Sequence, residues 1–278
     1  MIKRVIYLVL DKNQAKRYIR HIALKEIGLS GQKKLLSSKV LVIGAGGLGS
    51  PAILYLAAAG VGTIGIADCD VVEISNLQRQ IIHSSSFVGR KKVCSAEQSA
   101  LSLNPDIGIV CHDLFLDTEN IIQIISDYDF ILDCTDRFET KFLINDACVL
   151  AGKPYSHAGA VGFAGQTMTY VPGRGPCLRC LLNEVPHNSI TCSEAGVLGA
   201  ALGVIGSFQA AEAIKYILGK GELLTGKVLS VDVLSMDIRV HSIRHSDPDC
   251  PVCGRAPTIR CLRDKVDDYM IHSCGREE

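Results

Sequence analysis

Two clusters in this 278-residue chain have residue types and spacing suited to chemistry. The first is Val40-Leu41-Val42-Ile43-Gly44-Ala45-Gly46-Gly47-Leu48-Gly49, with Asp68 and Asp70 downstream. Glycines spaced Gly-x-Gly-x-x-Gly between a strand and a helix let backbone N–H groups approach phosphates, and the helix dipole favours negative charge there. Asp68 closes a second apolar run, at about the distance from which an acid reaches a ribose hydroxyl. The pattern predicts a nucleotide site on Gly44, Gly46, Gly47, Gly49 and Asp68. Its competitor is a tight strand–helix turn packed for its own sake. The second cluster is two Cys-x-x-Cys pairs, Cys177/Cys180 and Cys250/Cys253. Four thiolates in two chelating pairs fill a tetrahedral zinc site with no open position, which makes a structural Zn²⁺ site. Such a metal would pin the chain end to the middle of the domain. The competitors are a redox dithiol, which would sit at a thioredoxin-like helix start as neither pair does, and an iron–sulfur cluster.

Repeating strands and helices must position these groups. The Val/Ile-rich run before Gly44 reads as a buried parallel strand. Leu48 to Ala59 reads as a helix, with Pro51 in its first turn and Gly60 as its stop. Strands follow at Thr63–Ala67, Ile107–Cys111 and Tyr128–Cys134, and helices at about Arg90–Leu103, Thr118–Ser126 and Phe138–Leu150. This alternation implies an α/β fold: a Rossmann-like, mostly parallel sheet with helices on both faces. From Gly159 the pattern changes to antiparallel strands. Asn183 to Ser193 reads as a loop, Val197 to Leu218 as one long helix whose small residues permit close packing, and Lys227–Val233 with Asp237–Ile243 as a hairpin. Lys12 to Glu26 reads as a solvated amphipathic helix and Gly31 to Ser37 as a second short one. Two positions have competing readings. Arg90-Lys91-Lys92 places three cations at a helix N-terminus, against the macrodipole preference; either they are solvated or a bound polyanion compensates them. Asp136 is either an N-cap or a group at the carboxyl end of a parallel strand, where open sheets bind ligands.

Composition narrows the class. Apolar residues make up 47%, and Lys+Arg and Asp+Glu are equal at 29 each. A sizeable core is expected, and nothing points to a nucleic-acid or membrane partner. The apolar stretch Val5 to Leu10 is too short for a signal peptide. Of the 12 cysteines, Cys69, Cys94, Cys111, Cys134 and Cys148 stand singly and read as small hydrophobes. With the paired spacing, this argues for a reduced, cytoplasmic protein with a metal site.

The chain resembles the MoeB/ThiF/HesA group, relatives of ubiquitin-activating enzymes. The resemblance is carried by Arg17-Tyr18-Ile19-Arg20, the glycine motif, Asp68-x-Asp70, Ser75-Asn76-Leu77-Gln78-Arg79-Gln80, Val88-Gly89-x-x-Lys92, Leu103-Asn104-Pro105, Asp133-Cys134-Thr135-Asp136, both Cys-x-x-Cys pairs and Thr191-Cys192-x-Glu194-Ala195-Gly196-Val197. It implies ATP-dependent adenylation of the C-terminal Gly-Gly carboxylate of a small ubiquitin-like sulfur-carrier protein, with later sulfur transfer from a donor such as a cysteine desulfurase. By the same resemblance the glycine turn holds the triphosphate, Asp68 the ribose, and Arg79 and Lys92 the phosphate charge. Asp136 holds Mg²⁺, and Asn76 and Gln80 orient phosphates or metal beside Asp70. Arg20 reaches the ATP of a partner subunit, which implies a homodimer, and Cys192 is a candidate for a covalent link to the carrier. The chain is expected to divide into an N-terminal helical segment at 1–38, a single domain at 39–254 that the resemblance makes an ATP-binding adenylation domain with the zinc site, and an appendage of unknown order at 255–278, which mixes charges and shows no period. It departs at Arg137, where the group usually has Asn. A nicotinamide-dependent oxidoreductase and a catalytically impaired nucleotide-binding scaffold are the competing functions.

Overall fold

In the computed structural model, residues 10–184, 195–243 and 246–269 are described. The chain runs α1 (Lys12–Arg17), α2 (Ile19–Ile22), α3 (Gly28–Ser37), β1 (Lys39–Ile43), α4 (Gly49–Ala59), β2 (Thr63–Ala67), α5 (Lys92–Leu103), β3 (Gly108–His112), α6 (Ile121–Ser126), β4 (Phe130–Asp133), α7 (Phe138–Leu150), β5 (Tyr155–Val161), β6 (Ala164–Tyr170), α8 (Gly199–Leu218), β7 (Lys227–Asp232) and β8 (Asp237–Ser242). The strands form one eight-stranded sheet in the order β3-β2-β1-β4-β5-β6-β7-β8. Pairing is parallel from β3 to β5 and antiparallel from β5 to β8. The expected α/β architecture, with a parallel half continuing into antiparallel strands, is the one found.

The period-two pattern of β1 shows why the strand is apolar throughout. Val40 and Val42 pack into one core with α4, α5 and α8. Leu41 and Ile43 pack into a second core, with α6 and α7, on the opposite face. That second core also contains Cys177, Cys250, Ile259, Leu262 and Tyr269, so the cysteine pairs and the following segment are built into it.

Two local readings need correction. Lys12 to Glu26 is not one solvated helix: it breaks at Tyr18, which is buried. The Tyr18 hydroxyl accepts from Asn104 Nδ2 at 2.9 Å, and the same amide donates to the Ala57 carbonyl at 2.7 Å. A buried anchor thus overrides the solvated face. Asp11, unnoticed in the sequence, is the N-cap, accepting from the Asn13 and Gln14 N–H groups. Asp136 does not cap α7: Arg137 holds that position and caps with its backbone alone. The loop expected at Asn183 to Ser193 lies mostly outside the described residues.

Candidate active site and metal centre

Strand order places the crevice. β1 has β2 on one side and β4 on the other, and the connections from β1 and β4 diverge there, the switch point at which open sheets bind ligands. Ile43 and Asp133 are opposite one another in the register, so the turns that follow them, Gly44–Leu48 and Cys134–Arg137, lie side by side. Gly44 adopts φ +95°, and a Cβ on it would meet the Cys134 carbonyl. A Cβ on Gly49 would collide with the Gly44 carbonyl, so that glycine closes the turn onto the helix and does not line the crevice.

The crevice is a cavity of about 710 Å³. Gly44, Gly46 and Gly47 form one wall, with Asp68, Asp70 and Lys92 beside them. Arg79, Gln80, Asp136 and Arg137 also line it, and so does Lys141. Asp68 is fixed by backbone donors: Ala45 N–H to Oδ2 at 2.8 Å and Asp70 N–H to Oδ1 at 2.9 Å. Burial nonetheless raises its pKa, with Lys92 opposing. The basic triplet divides. Lys91 pairs with Asp113 at 3.0 Å and Arg90 stacks on Phe87, whereas Lys92 is buried, lines the cavity and reaches Asp70 Oδ2 at 2.8 Å. Arg79 donates to the Ser75 carbonyl at 3.1 Å. Among the described residues, Gln80 Oε1 is the one buried side-chain polar atom without a hydrogen-bond partner, and Gln80 lines the cavity. A buried orphan acceptor is costly, so this one is suited to a ligand or its water.

Some predicted residues lie elsewhere. Arg20 is exposed on α2 and does not line this cavity. Asn76 is buried, and its Oδ1 accepts from the Glu73 N–H at 3.0 Å, shaping the turn before Arg79. Cys192 lies outside the described residues. Cys69 departs from the small-hydrophobe reading: it lines the cavity and is disulfide-bonded.

Lys141, His157 and His83 are buried polar residues that went unnoticed in the sequence. Under the Asp136 turn, Asp133 accepts from Lys141 Nζ at 3.2 Å, His157 Nδ1 at 2.7 Å and the Thr135 hydroxyl at 2.6 Å. Burial alone would push Asp133 up, but Lys141 and these hydrogen bonds outweigh it and hold the carboxyl at about 2. His83 is buried beneath the glycine turn, 2.8 Å from the Ala45 carbonyl and 2.9 Å from Ser95 Oγ. Single polar residues in apolar surroundings carry no period, so nothing marked them.

The four predicted metal ligands come together. Their ligand atoms all lie within 4.8 Å of one another. Cys177 Sγ lies 3.9 Å from Cys180, 3.7 Å from Cys250 and 3.4 Å from Cys253, and Cys180 lies 3.4 Å from Cys253. A tetrahedral centre with 2.3 Å metal–sulfur bonds requires about 3.8 Å, so the cluster fits such an ion. Arg179, between the first two cysteines, holds this knuckle. Its Nε donates to both Asp146 oxygens at 2.8 and 2.9 Å, its Nη2 to Asp268 at 2.9 Å, and its guanidinium lies over the Phe142 ring. Tyr269 donates to the same Asp146 at 2.5 Å. Asp268 and Tyr269 are thereby tied to α7.

Fold, cavity and cysteine cluster define an α/β protein with a crevice at the switch point of its sheet and four cysteines placed to hold a metal. The model of the ThiF family matches residues 18–252, and the chain belongs to that family. It is 43% identical over 271 residues to the SAMP-activating enzyme E1 of Haloferax volcanii, covering 96% of this chain and 98% of that protein. It is 46% identical over 257 residues to the adenylyltransferase and sulfurtransferase MOCS3 of Aedes aegypti, covering 92% of this chain and 59% of the relative, so it spans little more than half of that protein. Among solved structures, E. coli MccB with ATP superimposes with a TM-score of 0.73 at 26% identity, over 90% of this chain and 76% of that one. Among the described residues, no helix is long and apolar enough to cross a membrane.

Proposed function

We propose that this chain activates the C-terminal carboxylate of a small ubiquitin-like sulfur-carrier protein as an acyl-adenylate, at the expense of ATP. The observation that carries the reading is the convergence of the glycine turn, Arg79, Lys92 and Asp136 on one cavity at the switch point. In-line attack on an α-phosphorus needs positioning and charge neutralisation more than a covalent protein group. Gly46 and Gly47 offer backbone donors to the triphosphate. Asp68, held by two N–H groups, keeps lone pairs for ribose hydroxyls. Lys92 and Arg79 neutralise the charge passed to the leaving pyrophosphate. The exposed carboxylate of Asp136 is the candidate Mg²⁺ ligand, and the metal would draw charge from the phosphate oxygens. Arg137 lines the same cavity, so this departure from the usual Asn puts a cation beside that ligand. The cysteine cluster holds Zn²⁺ as a structural ion. Arg20, exposed and away from its own cavity, serves the site of a second subunit in a homodimer. A separate donor supplies sulfur afterwards, and the protein works in the cytoplasm.

The nicotinamide alternative leaves Arg79, Lys92 and Asp136 without a task, and the named relatives include adenylyltransferases. Hydroxylamine trapping tests the reading. Incubation with ATP, Mg²⁺ and the cognate carrier should convert the carrier's terminal carboxylate to a hydroxamate, seen by intact-protein mass spectrometry. Trapping that proceeds equally well without ATP would contradict it.

A further inference from the structure

The glycine turn is held from below by a side chain that does not line the cavity. His83 is buried, with both ring nitrogens engaged. Nε2 lies 2.8 Å from the Ala45 carbonyl, which can only accept, so Nε2 carries the proton and donates. Nδ1 then accepts from the Ser95 hydroxyl at 2.9 Å. Ser95 lies in the first turn of α5, the turn that begins with Lys92. The Ala45 peptide groups are therefore gripped at both ends, with the N–H on Asp68 Oδ2 and the carbonyl on His83 Nε2. Burial lowers the His83 pKa, with Lys92 adding to that, so the ring is neutral and holds this tautomer.

Peptide geometry turns this grip into an orientation. The described chain has no cis peptide bond, and in a planar trans peptide the carbonyl and the following N–H point in opposite directions. The Ala45 carbonyl is drawn down to His83, so the Gly46 N–H is turned away from it. Gly46 lines the cavity, and among the described residues the Gly46 and Gly47 N–H groups make no hydrogen bond. We propose that His83 is a positioning residue for nucleotide binding: by holding the Ala45 carbonyl, it aims the Gly46 N–H at the phosphate chain of ATP. It acts through the Ala45–Gly46 peptide without touching nucleotide. The inference rests on the adenylation reading above.

The test compares His83→Gln with His83→Asn in the full-length protein. Glutamine can place an amide N–H where Nε2 sits; asparagine reaches only the Nδ1 position, toward Ser95. His83→Gln should keep the KM for ATP within about threefold of the parent, whereas His83→Asn should raise it about tenfold, the worth of one misdirected hydrogen bond. The KM for the carrier should not move, a split that general loosening of the fold would not give. In parallel, ¹⁵N-labelled parent protein is titrated with α,β-methylene ATP, and the Gly46 amide should shift with binding. This second readout needs no variant to fold. A shift pattern that includes the Lys92 region but omits Gly46, or a folded His83→Asn with the parental KM for ATP, overturns the inference alone. No response to the analogue anywhere in the parent overturns the adenylation reading, and this inference with it.

Discussion

Lys92 Nζ sits 2.8 Å from Asp70 Oδ2, with the lysine side chain 9% exposed and the aspartate 47% exposed. A pair with one partner so open to water contributes little to stability. It does hold an otherwise mobile ammonium at the cavity wall. On the adenylation reading proposed above, Lys92 waits on Asp70 and exchanges that anion for phosphate when nucleotide enters.

That arrangement separates the two partners. Lys92→Ala should lower the rate of adenylation by about 10²–10³-fold, the usual effect of removing one preorganised charge donor. Asp70→Asn should retain most activity, and both should melt close to the parent. Steady-state pyrophosphate release and thermal melts check this. Equal losses from the two substitutions would mean that the pair is structural.

Arg20 gives a complementation test. If it serves the partner subunit, Arg20→Ala and Lys92→Ala homodimers are each inactive, yet a mixed dimer contains one site free of both lesions. Random reassortment of equal amounts should restore roughly a quarter of the parental activity. Mixing that restores nothing would place Arg20 outside the site.

The knuckle should behave as a structural metal site. Purified protein should contain about one zinc per chain, and Cys250→Ser should abolish it. Melting should fall by roughly 10 °C or more, since 1 kcal/mol is about 2–4 °C for a domain of this size. Elemental analysis of untagged protein checks the first point; iron with sulfide would contradict it.

Buried histidines set the response to acid. Burial lowers the pKa values of His83, His112 and His157 below the ordinary 6.5. Below pH 6.5 the unfolded chain therefore binds protons that the native one refuses, and stability falls as pH drops from 6.5 toward the folded values. The depressed Asp133 adds a later loss: its contribution is complete above about 4 and disappears as pH falls toward 2. Asp68 and Asp146, raised by burial, oppose this in part. Melting temperature should decline from pH 7 to pH 5, and His157→Asn should lessen the slope. A flat profile over that range would contradict the assignment of neutral buried histidines.

Much of this was legible because it repeats. The Val40–Gly49 run shows its strand, turn and helix through apolar period and glycine spacing, and the cysteine pairs show their site through chelating intervals. Strand order could not be read from local pattern, and it alone brings Asp136 beside Gly44. His83, Lys141 and Arg179 escaped notice for a different reason: each is a single polar residue whose partners are distant in the chain. Tyr18 misled because a helical period does not reveal that one residue is anchored to Asn104. Residues 256–269 have no period because they fill gaps in the core that α7 lines, with Leu262 and Tyr269 buried there.

ATP–pyrophosphate exchange tests the central claim most directly. Purified protein with Mg²⁺ is offered small Gly-Gly-terminated proteins one at a time. Exchange with one carrier and none without it is the predicted result, and it identifies the partner as well. ATP binding with no exchange for any carrier would contradict adenylation and leave a nucleotide-binding scaffold.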